Sequence, residues 1–216
     1  MIFNKNISNE LLNLLDYYYS LNVNNFFNDT ITQKGTKKSN RLNTFQDILE
    51  LTKKQLNILN NDIIFRGNLQ CKVLVLNGFI SNEDSKPGKL LSVTVYDLLV
   101  KMLLAINIKE EDFFLTSLSF SKNILDEKSK TLNLFFRKIL PIIKPNIILL
   151  LGKFSYNNLL SKNKIIDDIH GKFENIDING IDYTITTTYH PEDLIHNPDL
   201  KKNAWNDLKA LKFKLL

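Results

Sequence analysis

Residues 185–191 read Ile-Thr-Thr-Thr-Tyr-His-Pro, and Glu-Asp-Leu-Ile-His-Asn-Pro follows at 192–198. The β-branched run predicts a strand. Pro191 has no amide hydrogen and turns the residue before it away from the helical region, so the ladder is expected to stop at His190. An imidazole fixed at a strand tip can donate to a substrate carbonyl or to a developing negative charge. The alternative is a solvent-facing turn histidine. Two other segments should reach the same edge of a sheet, 77–92 behind the apolar run 71–76 and 117–121 behind the run 112–118. One cleft could gather all three, because ligands of open α/β sheets bind at the carboxyl ends of strands.

Other chemistries are poorly served. The chain has 216 residues and one cysteine, Cys71, which excludes a disulfide framework and a cysteine-built cluster or zinc site. His170, His190 and His196 lack the close helical spacing of paired ligands, so no metal and no cofactor are expected. No glycine-rich dinucleotide fingerprint or Walker loop occurs. A net charge of +5, from 28 basic and 23 acidic side chains, permits nucleic-acid binding without requiring it. No run reaches the length of a membrane span, and Met1 is followed by Ile-Phe-Asn-Lys-Asn where a leader would carry basic and then apolar residues. The expectation is a soluble, cytoplasmic protein that does not engage membranes.

The elements that would position these groups follow in order. Leu11, Leu12, Leu14, Leu15 and Tyr18 give a first helix. Residues 21–43, with Lys34, Lys37, Lys38 and Arg41, read as a solvated loop in preference to a phosphate-contacting one. Thr44 and Asp47 resemble a capping signal before a stripe of Ile48, Leu51, Leu56 and Leu59. Strands are predicted near 72–77, 113–118, 146–151 and 183–189. Thr94 and Asp97 cap an intervening helix, and Pro141 should kink or shorten the last turn of another. Asn179-Gly180 signals a hairpin into the last strand, and a terminal helix is expected over about 201–213. The expectation is an α/β fold, one domain over 1–216, in which a three-layer αβα sandwich surrounds a mainly parallel four-stranded sheet. A helical segment of about residues 1–60 would pack on it.

The order of these signals resembles the uracil-DNA glycosylase superfamily, nearest its iron–sulfur branch. Thr188-Tyr-His-Pro-Glu-Asp-Leu-Ile-His-Asn-Pro carries the resemblance best, together with Pro145-Asn-Ile-Ile-Leu-Leu-Leu-Gly-Lys, Gly171-Lys-Phe and Val75-Leu-Asn-Gly-Phe-Ile-Ser-Asn-Glu-Asp. It implies a monomer that acts on DNA, removing uracil or a related damaged base flipped into the cleft, as a step of base excision repair. His190 would stabilise the departing base. Asn77 stands where that branch has a water-activating Glu. Gly78 and Phe79 follow it in the substrate-binding motif, with Phe79 and Ile80 in place of Pro and Gly. Leu91 falls at the base-stacking Phe, and Ser117 at the Asn that reads the uracil edge. Pro191, Leu194 and Ile195 would form the loop that wedges into the stack, and Lys201 and Lys202 would meet phosphates or simply be solvated. The branch's four cluster cysteines are missing. These departures leave three outcomes open: uracil excision, excision of another base, or a catalytically inactive DNA- or protein-binding module. Under the first, the sequence alone suggests that Asn77→Asp would raise the rate by restoring a carboxylate near the water.

Overall fold

The computed structural model describes residues 37–57, 64–80, 90–120 and 125–216. The predicted first helix, Lys34 and the loop 82–88 lie outside the described residues. Four apolar runs form parallel strands: β2 (Val73–Asn77), β3 (Phe113–Ser117), β4 (Ile147–Leu151) and β6 (Ile181–Thr188). β2, β3 and β4 are buried along their whole length, as strands covered on both faces must be. Among the described residues the sheet has six strands where four were expected. β1 (Phe65–Gly67) and β5 (Phe173–Ile178) add antiparallel edges, giving the order β1-β3-β2-β4-β6-β5. β1 is too short to give a periodic signal. β5 is the outgoing arm of the hairpin that Asn179-Gly180 turns, both of those residues having positive φ.

Helices cover both faces. α1 (Lys37–Leu56) and α3 (Glu127–Ile143) pack with Leu74, Leu76, Phe114, Ile148 and Leu150 on one side. On the other, α2 (Val93–Leu104) and α7 (Lys201–Leu215) pack with Val73, Val75, Leu115, Leu149 and Leu151. This is a three-layer αβα sandwich with a mostly parallel sheet. Between these elements lie α4 (Gly152–Leu160), α5 (Ile166–Ile169) and α6 (Pro191–His196).

Three local expectations need correcting. α1 begins at Lys37, so Thr44 lies inside the helix and residues 37–43 are helical, not loop. α2 is capped by Ser92, whose hydroxyl accepts from the Val95 amide, because the chain enters the helix two residues before Thr94. α3 continues past Pro141 to Ile143 and stops where Lys144 turns left-handed. A proline there removes one donor, and the turn around it still packs Ile139, Leu140 and Ile143 into the core.

Candidate functional site

The chain leaves β2 for β3 on one side, then crosses back to β4 on the other. The crevice between β2 and β4 is therefore the topological switch point where open α/β sheets bind ligands. The register sets the row of residues at that edge. Asn77 lies opposite Ser117 on one side and Leu151 on the other, and Leu151 lies opposite Thr188. His190 follows two residues beyond Thr188, at the N-cap of α6.

A hydrogen-bond network fixes the two central side chains. Asn77 Nδ2 donates to the carbonyls of Phe79 at 2.7 Å and Leu90 at 3.2 Å. Turning the amide over would set Oδ1 against both carbonyls, so Oδ1 is the atom that faces His190. His190 Nδ1 accepts the Glu192 amide at 3.2 Å, which leaves Nε2 as the protonated nitrogen. Nε2 donates to Asn77 Oδ1 at 3.1 Å. Burial holds the imidazole below its usual pKa, against the opposing pull of Asp193 and Glu192. The result is a neutral imidazole with its proton directed into the site, next to an amide oxygen that can only accept.

Backbone geometry brings these groups together. Gly152, at the start of α4, has φ +74°, and a Cβ there would lie 3.1 Å from His190 Cβ. A cavity of about 370 Å³ opens at this point, lined by Asn77, Gly78, Phe79, Leu91 and His190. That volume lies at the small end of ligand pockets, which span roughly 300–1,000 Å³. Five of the residues predicted for the site thus meet in one cavity.

Sequence reasoning missed Phe154, Lys153, Glu192, Asp193 and His196, which line the same cavity. Phe154 meets Phe79 edge to face, with ring centroids 4.9 Å apart. Gly78 makes room for it, since a Cβ there would lie 2.6 Å from the Phe154 ring. The available signal was positional: Gly-Lys-Phe directly follows the most apolar strand, on the carboxyl edge already reached by Asn77 and His190. Two aromatic edges thus flank a site whose expected stacking position holds Leu91.

Ser117 does not join this cavity. It is fully buried beside Asn77 in the register, and its Oγ has no hydrogen-bond partner among the described residues. Leu194 is also drawn inward. It packs with Tyr189 and Ala204 at 2% exposure, so of the predicted apolar wedge only Ile195 faces solvent. Pro191 is buried at the first position of α6, and Lys201 and Lys202 are exposed at the start of α7.

The strand end is anchored from behind. Thr188 Oγ1 donates to Asp207 Oδ2 and His170 Nδ1 meets Asp207 Oδ1, both at 2.9 Å. Burial raises the Asp207 carboxyl, while these two hydrogen bonds pull it down. Gly171 permits the approach, because a Cβ there would lie 2.6 Å from Asp207 Oδ1.

Residues 67–209, the span that contains this sheet and site, match the sequence profile of the uracil DNA glycosylase superfamily. The chain belongs to that superfamily. It is similar to the type-4 uracil-DNA glycosylase of Saccharolobus solfataricus, 23% identical over 162 residues that cover 70% of this chain and 75% of that one. The type-4 uracil-DNA glycosylase of Archaeoglobus fulgidus is 21% identical over 154 residues, 67% of this chain and 77% of its own. An iron–sulfur cluster of the kind the resemblance implies does not fit these residues. Cys71 is the one cysteine of the chain, it is buried, and burial pushes its thiol up to about 12. No helix among the described residues is long and apolar enough to cross a membrane.

Proposed function

We propose that the chain hydrolyses the N-glycosidic bond of uracil, or of a related damaged base, in DNA, as a step of base excision repair. The observation that carries this reading is the hydrogen bond from His190 Nε2 to Asn77 Oδ1, with both side chains locked by their other partners. Cleavage moves the bonding electrons onto the base, which leaves as an anion, while the sugar gains oxocarbenium character. A fixed neutral donor is suited to the anion, since a protonated imidazole would have to be held charged in a buried site. A carbonyl oxygen of the bound base accepts the Nε2–H hydrogen bond in place of Asn77 Oδ1. Asn77 Oδ1 then accepts a hydrogen bond from water and orients its lone pair toward the sugar carbon. The water's proton passes to solvent or to the departing base, because an amide cannot act as a base at neutral pH. Phe79, Phe154 and Leu91 supply apolar walls for the ring.

A second reading, a catalytically inactive DNA-binding module, is favoured by Ser117, whose buried hydroxyl stands apart from the cavity where a base-reading group would be needed. Single-turnover incubation of the wild type with oligonucleotides carrying uracil, other deaminated bases or alkylated bases separates the two. Release of one of these bases supports excision. Release of none, together with salt-sensitive DNA binding, supports the inactive module.

A further inference from the structure

The outer face of α7 carries a pattern that the excision site does not use. Ala204, Asp207, Leu208 and Leu211 turn inward. Lys201, Trp205, Lys209 and Phe213, all exposed, recur every fourth residue, so each lies about 40° around the helix from the last and the four wind across its outer side. Trp205 is 42% exposed and Phe213 82% exposed, large values for aromatic side chains. Lys202 and Lys214 flank these residues, and Lys212 is half-buried in a cleft that it lines with Asp112. The helix's one acid, Asp207, is buried and held by Thr188 and His170. The exposed side of the helix therefore presents four cations and no acid of its own, and none of the helix's five lysines forms an ion pair among the described residues.

We propose that this face is a track for single-stranded nucleic acid. Proteins that bind single strands without sequence preference pair cations for the backbone with aromatic rings for the bases, and both alternate here. A duplex keeps its base faces stacked against each other and offers Trp205 and Phe213 nothing to stack on. The two rings lie eight residues apart, about 12 Å along the axis, a span of three or more nucleotides at roughly 3.4 Å per stacked step. The track also has a route to the site. Leu200, immediately before Lys201, lines a shallow cleft with Lys153, Asp193 and His196, three residues that also line the site cavity. The proposal goes beyond the excision reading and does not depend on it.

Trp205 is the chain's one tryptophan, so its fluorescence reports on this face alone. The test titrates a uracil-free oligothymidylate, a matched duplex and a polyglutamate peptide, with anisotropy of labelled oligonucleotide as a second readout. The single strand should quench the fluorescence saturably and bind tighter than the duplex. Phe213→Ala, at a side chain too exposed to matter for folding, should weaken it about 5- to 140-fold. Lys209→Ala should lower the log–log salt slope by about 0.7. Unchanged fluorescence and anisotropy, equal affinity for duplex, tighter binding of polyglutamate, or no loss in Phe213→Ala would each overturn the proposal. Because the probe holds no uracil, a protein that binds it and yet excises nothing counts against the proposed function only.

Discussion

The Asn77→Asp substitution exchanges one amide nitrogen for an oxygen at the carboxyl end of β2. In the wild type that nitrogen donates to the carbonyls of Phe79 and Leu90, the second bond being wholly buried. The introduced carboxylate would face both carbonyls with no proton to offer. Leaving the buried Leu90 carbonyl unpaired costs about 1–3 kcal/mol before relaxation, and the half-buried Phe79 carbonyl adds less. In a chain of this size each kcal/mol lowers the midpoint by roughly 2–4 °C, giving a loss of about 2–12 °C from the buried bond. The sign with pH follows from the same geometry. The folded state raises the pKa of the new carboxyl, because only the protonated form can donate to a carbonyl. The penalty is therefore smallest below the unfolded value of about 3.9 and grows as pH rises through the raised folded value. Thermal melts of variant and wild type at pH about 4.5 and about 8 should show the gap widening toward the higher pH. Excision by the variant should fall, against the expectation that a restored carboxylate raises it. Equal melting at both pH values, with faster excision, would refute the double-donor role of Asn77.

Gly152→Ala combines a positive φ with a Cβ 3.1 Å from His190 Cβ; it should destabilise the fold by ~1–3 kcal/mol and slow single-turnover excision by displacing the imidazole. Asp207→Ala leaves the Thr188 hydroxyl and His170 without their shared partner and should cost about 2–5 kcal/mol in denaturant titrations. His190 has a lowered folded pKa, so the unfolded chain takes up the proton first. Its contribution is present above about pH 6.5 and is lost as pH falls from there toward the folded value, whereas His190→Ala should lack that part of the acid sensitivity.

How much was legible depended on the length of each signal. Runs such as Asn146–Leu151 announce buried parallel strands because both faces must be apolar, and the hairpin shows itself through Asn179-Gly180. β1 has three residues and its pairing with β3 is a tertiary fact, so nothing local marks it. His190, Asn77 and Leu91 were legible as residues at strand ends or in the loop beyond one. The bond between His190 and Asn77 was not, since it joins residues 113 apart through the strand order β2-β4-β6. Ser117 shows the opposite failure. The family resemblance placed a base-reading group there, whereas packing around the end of β3 buries its side chain away from the cavity. Leu194 failed likewise, because a six-residue helix turns one side chain of the supposed wedge into the core.

The central claim is that His190 acts as a fixed neutral donor to the leaving base. Single-turnover release of uracil from a labelled oligonucleotide, wild type against His190→Ala, tests it most directly. Loss of one preorganised donor should slow the chemical step by about 10²–10³, with DNA affinity nearly unchanged because phosphate contacts supply most of it. Wild-type excision that persists at the same rate in His190→Ala would contradict the claim.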